Sequence, residues 1–325
     1  MIILTGGAGF VGSNILKRLN QMGEDDIVVV DNLRKSDKYR NLVGTSFRDY
    51  IDKEEFLQRL SNGDFTGVRG IIHEGACTDT MEYDGKYMLA NNFEYSKQLL
   101  NYCVANKSRF IYASSAAVYG HTELACESDG TEAPLNVYGY SKLLFDQYVK
   151  RVMPHAQSTI VGLRYFNVYG PGESHKGKMS SMVVQFYNQI MATGSARLFG
   201  GYGAYGPGQQ TRDFVYVKDI VDINLHFWER DVTKTIVNAG SGRSRTWNDL
   251  ANAVIAATGC GKIEYIDFPT TLADKYQFNT RADLSLLRSH GFTKQTHTLE
   301  EGVVDYIGML QSERQLALSR GHASA

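Results

Sequence analysis

Thr5-Gly6-Gly7-Ala8-Gly9-Phe10-Val11-Gly12 is the stretch of sequence that decides the fold of this 325-residue chain. It follows a short apolar run, Ile2–Thr5, and it precedes a stretch with helical periodicity, Ser13–Met22. Glycines permit a tight turn between a strand and a helix, and they let a phosphate approach the free N–H groups at the helix N-terminus. This order of elements predicts the first unit of a dinucleotide-binding domain.

The glycine spacing and a later acid support the same prediction. Gly6, Gly9 and Gly12 fit the pattern G-x-x-G-x-x-G, and Gly7, Gly9 and Gly12 fit G-x-G-x-x-G. Asp31 ends the second apolar run, roughly 20 residues beyond the last glycine, where such folds place the acid that binds a ribose hydroxyl. Gly6, Gly9, Gly12 and Asp31 are therefore predicted cofactor-binding residues.

Near-continuous apolar runs alternate with helical patterns along the first half of the chain. The predicted strands are Ile2–Thr5, Ile27–Val30, Gly70–His73, Phe110–Ala113 and Thr159–Leu163. The predicted helices between them are Ser13–Met22, Lys53–Leu60, Tyr87–Ala105 and Tyr138–Val152. Such runs are typical of strands that are buried on both faces of a parallel sheet. We therefore expect an α/β fold of the Rossmann type, with a doubly wound parallel sheet.

The pattern loosens after residue 170, which suggests a second, smaller unit. We expect a Rossmann domain over 1–170, with segments near 213–240 returning to it, a substrate-binding lobe mainly over 171–310 and a flexible tail over 311–325. Further helices are predicted at Met179–Thr193, Val217–Glu229, Trp247–Thr258 and Leu299–Leu310. The glycine-rich stretch Gly200–Gly208 should be a loop.

Composition excludes several classes of function. Lys and Arg number 34 against 35 Asp and Glu, so charge gives no reason to expect nucleic acid or an anionic membrane as a partner. No apolar run approaches the ~20 residues of a membrane span, and the N-terminus lacks the basic segment of a signal peptide. The four cysteines are scattered without metal-binding spacing, which predicts reduced thiols, no metal site and a cytoplasmic protein.

A basic run after Asp31 bears on the type of cofactor. It comprises Arg34, Lys35, Lys38 and Arg40, with Lys53 further along the chain. An acid at position 31 favours NAD, whereas nearby cations would suit the 2′-phosphate of NADP. A solvated basic loop is the alternative interpretation, so charge alone leaves NADP and NAD open.

A Tyr-x-x-x-Lys pair indicates redox chemistry on an alcohol. Tyr138 and Lys142 should share one face of a helix, and a nearby ammonium should lower the pKa of the phenol and make it a usable acid or base. Ser115 follows a predicted strand, at the edge where such sheets bind ligands. It could hydrogen-bond the substrate oxygen beside Tyr138, although capping of the strand end is the alternative role.

Several longer strings resemble the extended short-chain dehydrogenase/reductases, which act on nucleotide sugars. These strings are T-G-G-A-G-F-V-G (5–12), S-S-A-A-V-Y-G (114–120), Y-G-Y-S-K (138–142) and R-Y-F-N-V-Y-G-P (164–171). More distinctive strings at 73–78, 84–88, 134–138, 173–177 and 212–216 resemble the ADP-L-glycero-D-manno-heptose 6-epimerases. That likeness extends from residue 1 to about 310.

The resemblance implies residue roles and an activity. It implies an NADP cofactor bound by Phe10, Val11, Asp31, Asn32, Lys38, Lys53, Glu74, Gly75, Ala76, Cys77, Thr78, Asn91, Lys142, Val168 and Lys176. It implies sugar-nucleotide contacts at Asn167, Lys178, Gln185, Phe199, Gly200, Gly201, Tyr202, Arg212 and Tyr276. Tyr138 and Lys176 would be the two acid/base residues of an epimerisation at C6″ that proceeds by oxidation and re-reduction. The resemblance also implies a homo-oligomer, typically a pentamer, and a role in lipopolysaccharide core biosynthesis. Without the resemblance, Lys176 would be read as a solvated loop lysine.

Departures from the family pattern leave the sugar open. Gly172, Lys178 and Gln185 stand where these epimerases usually carry Arg, Ser and His, Ala90 replaces an Asp, and residues 238–242 also differ. Another nucleotide sugar or a UDP-sugar 4-epimerase, which would not need Lys176, therefore stays an alternative. A 4,6-dehydratase would need acids where Ala116 and Ala117 stand. A non-catalytic dinucleotide sensor would be expected to lack Tyr138.

Overall fold

A parallel seven-stranded sheet forms the centre of the molecule. The computed structural model describes residues 1–319 apart from 35, 123, 129, 231, 271, 272, 274 and 275. Its strands are β1 (Ile2–Thr5), β2 (Ile27–Asp31), β3 (Asp49–Asp52), β4 (Gly70–His73), β5 (Arg109–Ser115), β6 (Leu124–Ala125), β7 (Ile160–Tyr165), β8 (Asn167–Tyr169), β9 (Ser195–Phe199), β10 (Thr211–Tyr216), β11 (Lys234–Ala239), β12 (Ser244–Thr246), β13 (Lys262–Ile266) and β14 (Arg281–Ala282). The order in the central sheet is β11-β7-β5-β4-β1-β2-β3. The predicted α/β class is confirmed.

Helices cover the sheet and build the second lobe. They are α1 (Phe10–Gln21), α2 (Lys53–Asn62), α3 (Gly85–Leu89), α4 (Tyr95–Ala105), α5 (Val137–Val152), α6 (Met182–Thr193), α7 (Val217–Glu229), α8 (Trp247–Thr258), α9 (Ser285–Ser289) and α10 (Leu299–Ser319). Among the described residues, no helix is both long and apolar enough to cross a bilayer.

The direction of strand addition reverses between β1 and β4. From β1 the sheet grows through β2 and β3 on one side, and through β4, β5, β7 and β11 on the other. The connections that leave these two central strands therefore diverge, and a crevice opens at their carboxyl ends, where ligands of such sheets bind. The glycine turn follows β1 at this point.

All five strands predicted from apolar runs are present, with ends that differ by at most two residues. The sheet also contains β3, which was not predicted, because Asp49-Tyr50-Ile51-Asp52 has only one buried residue and lies at the sheet edge. The chain returns to the sheet late, as β11 pairs with β7, and α7 packs on α1.

The last helix extends beyond the predicted range Leu299–Leu310. The expected tail from residue 311 is helical up to Ser319, because α10 continues without interruption. Its first part packs into the second lobe, where Val303, Tyr306 and Ile307 are buried against residues of α6 and α8. Residues 320–325 lie outside the described residues.

A turn of π-helix interrupts the helix predicted over Tyr87–Ala105. It spans Ala90–Glu94 and separates α3 from α4. The buried Asn92 side chain within it accepts from the Cys77 N–H (2.8 Å) and donates to the Cys77 carbonyl (2.9 Å) and to Ser141 Oγ on α5 (3.0 Å). The widened turn thereby ties the segment after β4 to α5, and π-turns are frequent at functional sites.

A buried ion-pair network fixes α5 against the sheet. Arg164 on β7 is 1% exposed, and it donates to Asp146 on α5 (2.9 Å), to Glu132 (2.9 Å) and to the Tyr119 hydroxyl (2.9 Å). Asp146 also accepts from Ser114 Oγ on β5 (3.0 Å). The network connects α5 to the carboxyl ends of β5 and β7.

We expect Arg164→Ala to lower the free energy of unfolding by about 3–5 kcal/mol, because it leaves Asp146 charged and buried without its main partner. Lys218→Ala is the matched control, since it removes an exposed ion pair to Asp305 (2.6 Å) and should change that free energy by less than ~1 kcal/mol. Urea unfolding followed by circular dichroism measures both variants. Equal losses would contradict a structural role for this network.

Candidate active site

A cavity of about 720 Å³ opens at the carboxyl edge of the sheet. Its walls include most of the predicted cofactor-binding and catalytic residues, together with Asn167. These are Gly6, Gly9, Phe10, Val11, Gly12, Asp31, Lys38, Glu74, Gly75, Ala76, Cys77, Thr78, Ser115, Tyr138, Lys142, Asn167, Val168 and Lys176. The fold thus brings the glycine turn, the Tyr-x-x-x-Lys pair and the loop lysine to one space.

A second cavity of about 360 Å³ shares part of this wall. Asn32, Lys53 and Asn91 line it together with Gly6, Asp31, Lys38 and the segment 75–77. Every residue predicted to bind the cofactor therefore lines one of two adjoining cavities. This arrangement suits an elongated ligand that passes the glycine turn.

The glycine turn approaches the segment after β4 too closely for any side chain. Gly6 has a φ of +67°, and a Cβ there would lie 2.6 Å from the Gly75 nitrogen. A Cβ at Gly12 would lie 2.2 Å from the Gly6 carbonyl oxygen. Within the described residues, α1 has no side-chain cap at Gly9 and no acid in its first turn. Its N-terminal N–H groups therefore fit a pyrophosphate.

Cations surround the acid at the end of β2. Asp31 is 7% exposed, accepts from the Ala8 N–H (2.9 Å) and forms an ion pair with Lys38 (2.6 Å). Lys53 Nζ donates to Asn91 Oδ1 (2.6 Å) on the wall of the smaller cavity, which Arg34 also lines. Lys35 lies outside the described residues, and Arg40 lines neither cavity.

Tyr138 lies in the first turn of α5, where the Asn136 side chain caps the helix by accepting from the Gly139 N–H (2.8 Å). Burial raises the pKa of Tyr138, and a hydrogen bond with Ser115 partly opposes that rise. The expectation that Lys142 lowers this pKa is wrong for this structure. The Lys142 ammonium instead donates to the Ala113 carbonyl (2.8 Å), so burial determines the direction of the shift.

Lys142 interacts electrostatically with Glu74, an acid that sequence patterns did not assign to proton chemistry. Burial lowers the pKa of Lys142 to about 8, while Glu74 and Asp146 oppose this effect. Burial likewise raises the pKa of Glu74 to about 7, and its carboxylate accepts from the Tyr165 hydroxyl (2.8 Å). Glu74 was expected only as a cofactor contact, because its proximity to Lys142 depends on tertiary structure.

Lys176 lies in a short 3₁₀ segment, Ser174–Met179, and lines the main cavity. Its Nζ is 5.6 Å from the centre of the Phe10 ring. Burial lowers its pKa, and Glu173 opposes that shift. His175, which sequence reasoning did not single out, lines the same cavity. Lys176 is thus a partly desolvated amine that faces the cavity shared with Tyr138.

Eight residues predicted to contact substrate line neither cavity, and two of them, Lys178 and Gln185, lie in or next to the loop that carries Lys176. Lys178 is exposed. Gln185 Nε2 donates to the carbonyls of Ser180 (2.7 Å) and Lys178 (3.2 Å). The amide is thus used to hold the loop, and its predicted substrate contact is not present in this arrangement.

The other six predicted substrate residues that line neither cavity belong to a cluster next to Trp247, which is part of the wall of the main cavity and contacts Arg212 and Tyr276. Arg212 is 6% exposed and lies over the rings of Tyr276 (4.7 Å) and Trp247 (5.6 Å). Phe199 and Tyr202 pack in the same aromatic cluster through Phe268, next to Gly200 and Gly201. Among the described residues, only tyrosines contribute charge interactions to Arg212, and no carboxylate neutralises it. This buried cation is suited to an anionic group such as a diphosphate.

Comparisons with known proteins agree with this arrangement. Residues 2–240 match the family described as NAD dependent epimerase/dehydratase. The ADP-L-glycero-D-manno-heptose-6-epimerase of Helicobacter pylori is 31% identical, with 96% of each chain covered and a TM-score of 0.83. The UDP-glucose 4-epimerase of Thermotoga maritima is 25% identical over 96% of this chain and 99% of the other, with a TM-score of 0.79. A Bacillus cereus UDP-glucuronic acid 4-epimerase, solved with UDP-glucuronic acid and NAD, shares the fold at 24% identity, covers 95% and 99%, and has a TM-score of 0.77.

We expect Gly12→Ala to weaken binding of NADP and NAD by about 10-fold or more, because its Cβ would force the turn away from the Gly6 carbonyl. Gly308→Ala is the matched control, since a Cβ at this position in α10 would meet no atom within 4 Å. Isothermal titration calorimetry gives both affinities. Unchanged binding in the Gly12 variant would contradict the assignment of this turn.

Proposed function

The chain belongs to the NAD dependent epimerase/dehydratase family, and we propose that it converts ADP-D-glycero-D-manno-heptose to ADP-L-glycero-D-manno-heptose with bound NADP. The observation that carries the proposal is the presence of two acid/base groups, Tyr138 and Lys176, in one cavity with the glycine turn. The likeness to the Helicobacter pylori heptose epimerase supports this sugar. A pentameric assembly stays a prediction.

Inversion of an alcohol carbon explains why two such groups are needed. A bound nicotinamide would supply the acceptor and donor for the C6″ hydride. Tyr138, beside Ser115, would remove the hydroxyl proton of one epimer, and Lys176 would do so for the other. The resulting ketone is flat, so it turns its second face towards the same hydride position before reduction.

The charges of the site fit these roles. Because burial lowers the pKa of Lys176, its neutral form is accessible nearer to physiological pH than that of an exposed lysine. Lys142 contributes positive charge to the same cavity while it is protonated. The unneutralised Arg212 binds the diphosphate of the sugar nucleotide.

A different nucleotide sugar is the second candidate. The engagement of Gln185 with loop carbonyls supports it, because the sugar pocket then lacks the side chain that heptose epimerases usually present. A 4-epimerase would not require Lys176. A dehydratase lacks its acids at Ala116 and Ala117, and a sensor would not need Tyr138 and Lys142 together at the cavity.

We expect the purified protein to convert ADP-D-glycero-D-manno-heptose to its C6″ epimer, and Lys176→Ala to slow turnover on the order of 100-fold or more, the range of a lost acid/base group. Lys262→Ala, on the exposed strand β13, is the control and should keep full activity. Proton NMR of the product assigns the configuration. Near-normal turnover of a UDP-hexose by the Lys176 variant would favour the 4-epimerase.

NADP is proposed as the cofactor because three cations, Arg34, Lys38 and Lys53, line the smaller cavity, where Asp31 is the only carboxylate among the described lining residues. We expect Lys38→Met to weaken NADP binding by about 10-fold or more and NAD binding less, since Asp31 would then face the 2′-phosphate without its counter-ion. Arg40→Met, paired with Asp37 on the surface (3.5 Å), should leave both affinities unchanged. Tighter binding of NAD than NADP by the unmodified protein would overturn this choice.

A further inference from the structure

Glu173 is a fully buried carboxylate, 0% exposed, three residues before Lys176. Its Oε1 accepts from Ser181 Oγ (2.7 Å) and from the Gly170 N–H (3.2 Å), and its Oε2 accepts from the Ser181 N–H (2.5 Å). The Tyr306 phenol of α10 lies close to this carboxylate, but its hydroxyl has no hydrogen-bond partner among the described residues. One carboxylate thus holds both ends of the segment 170–181, which carries Lys176.

That segment has little regular structure of its own. Its central 3₁₀ turn is kinked at Gly177, whose φ is +54°, directly after Lys176. Side chains outside the segment hold its carbonyls, because Asn14 donates to Pro171 (2.8 Å) and Asn41 donates to Gly172 (2.9 Å). Among these contacts, only those of Glu173 connect the start of the segment at Gly170 directly to its end at Ser181.

Burial raises the pKa of Glu173, and the hydrogen bonds from Ser181 and Gly170 oppose that rise. Both of its oxygens receive backbone N–H groups, which donate and cannot accept, and such bonds favour the carboxylate. Its negative charge opposes the burial that lowers the pKa of Lys176. A buried charge without an arginine partner is expensive to maintain, so a role beyond packing is a reasonable expectation.

We propose that Glu173 is a positioning residue that fixes the Lys176 amine for proton transfer on one face of the sugar carbon. The inference rests on the proposed function, in which Tyr138 and Lys176 serve opposite epimers. Glu173→Gln keeps the size of the side chain. The NH₂ group of the new amide would, however, face the backbone N–H of Ser181 or of Gly170, and two donors cannot form a hydrogen bond with each other. The segment would shift, and Lys176 would move with it, while Tyr138 on α5 would stay in place.

The two epimers separate this role from a general structural one. Single-turnover reduction of bound NADP⁺, followed by nicotinamide absorbance, is measured with ADP-D-glycero-D-manno-heptose and with ADP-L-glycero-D-manno-heptose. We expect Glu173→Gln to slow the reduction of bound NADP⁺ by one epimer on the order of 100-fold, because a catalytic group misplaced by about 1 Å has an effect of this size. The rate of reduction by the other epimer should stay within about threefold of that of the unmodified protein. Lys176→Ala defines which epimer depends on the amine.

Matched variants keep the outcomes distinct. Glu229→Gln makes the same chemical change at the exposed end of α7 and should behave as the unmodified protein. Ser181→Ala removes a single donor to Glu173 and should give the same one-sided defect to a smaller extent, which tests the idea even if Glu173→Gln fails to fold. Equal slowing with both epimers, or none, would overturn the role of Glu173. Absence of a one-sided defect in Lys176→Ala would instead overturn the two-base function.

Discussion

The contact between two backbone turns at the centre of the sheet is the constraint on which the site depends. Gly6, after β1, lies against Gly75, after β4, with no space for a Cβ. These are the strands where the direction of the sheet reverses. Their close approach lets the segment 74–78 line the same cavity as the glycine turn. A wider turn would separate the phosphate-binding N–H groups from the residues that define the adjoining pocket.

Buried polar groups then transmit this arrangement to the redox residues. Asn92 links the segment after β4 to α5, and the Asp146–Arg164 pair links α5 to β5 and β7. Tyr138 and Lys142 are therefore held on a helix that is tied to the sheet on two sides. Lys176, in contrast, lies on a loop, and its placement depends on a few side-chain hydrogen bonds.

Local patterns predicted the core of the fold, and long-range contacts account for what they missed. Short stretches of sequence are enough to predict the buried strands, the glycine turn and the Tyr138–Lys142 pair. The strand Asp49–Asp52 was missed because half of its residues are acidic, and the turn at Asn92 because its partners, Cys77 and Ser141, are distant in sequence. The shift in the pKa of Tyr138 was predicted in the wrong direction, because the sequence shows neither the burial of the phenol nor the hydrogen bond from Lys142 to the Ala113 carbonyl. The sequence likewise does not show that the Gln185 amide donates hydrogen bonds to loop carbonyls.

The acidic character of β3 has a consequence for the protein in concentrated solution. This strand ends the sheet on one side, so its outer backbone groups have no strand beside them in the described part of the chain. Such open rims tend to recruit strands of other molecules into growing aggregates. The strand β3 has an aspartate at each end. Two molecules that meet along this edge would therefore bring like charges together. The polar sequence that concealed this strand from pattern reading thus protects the molecule from self-assembly into fibrils.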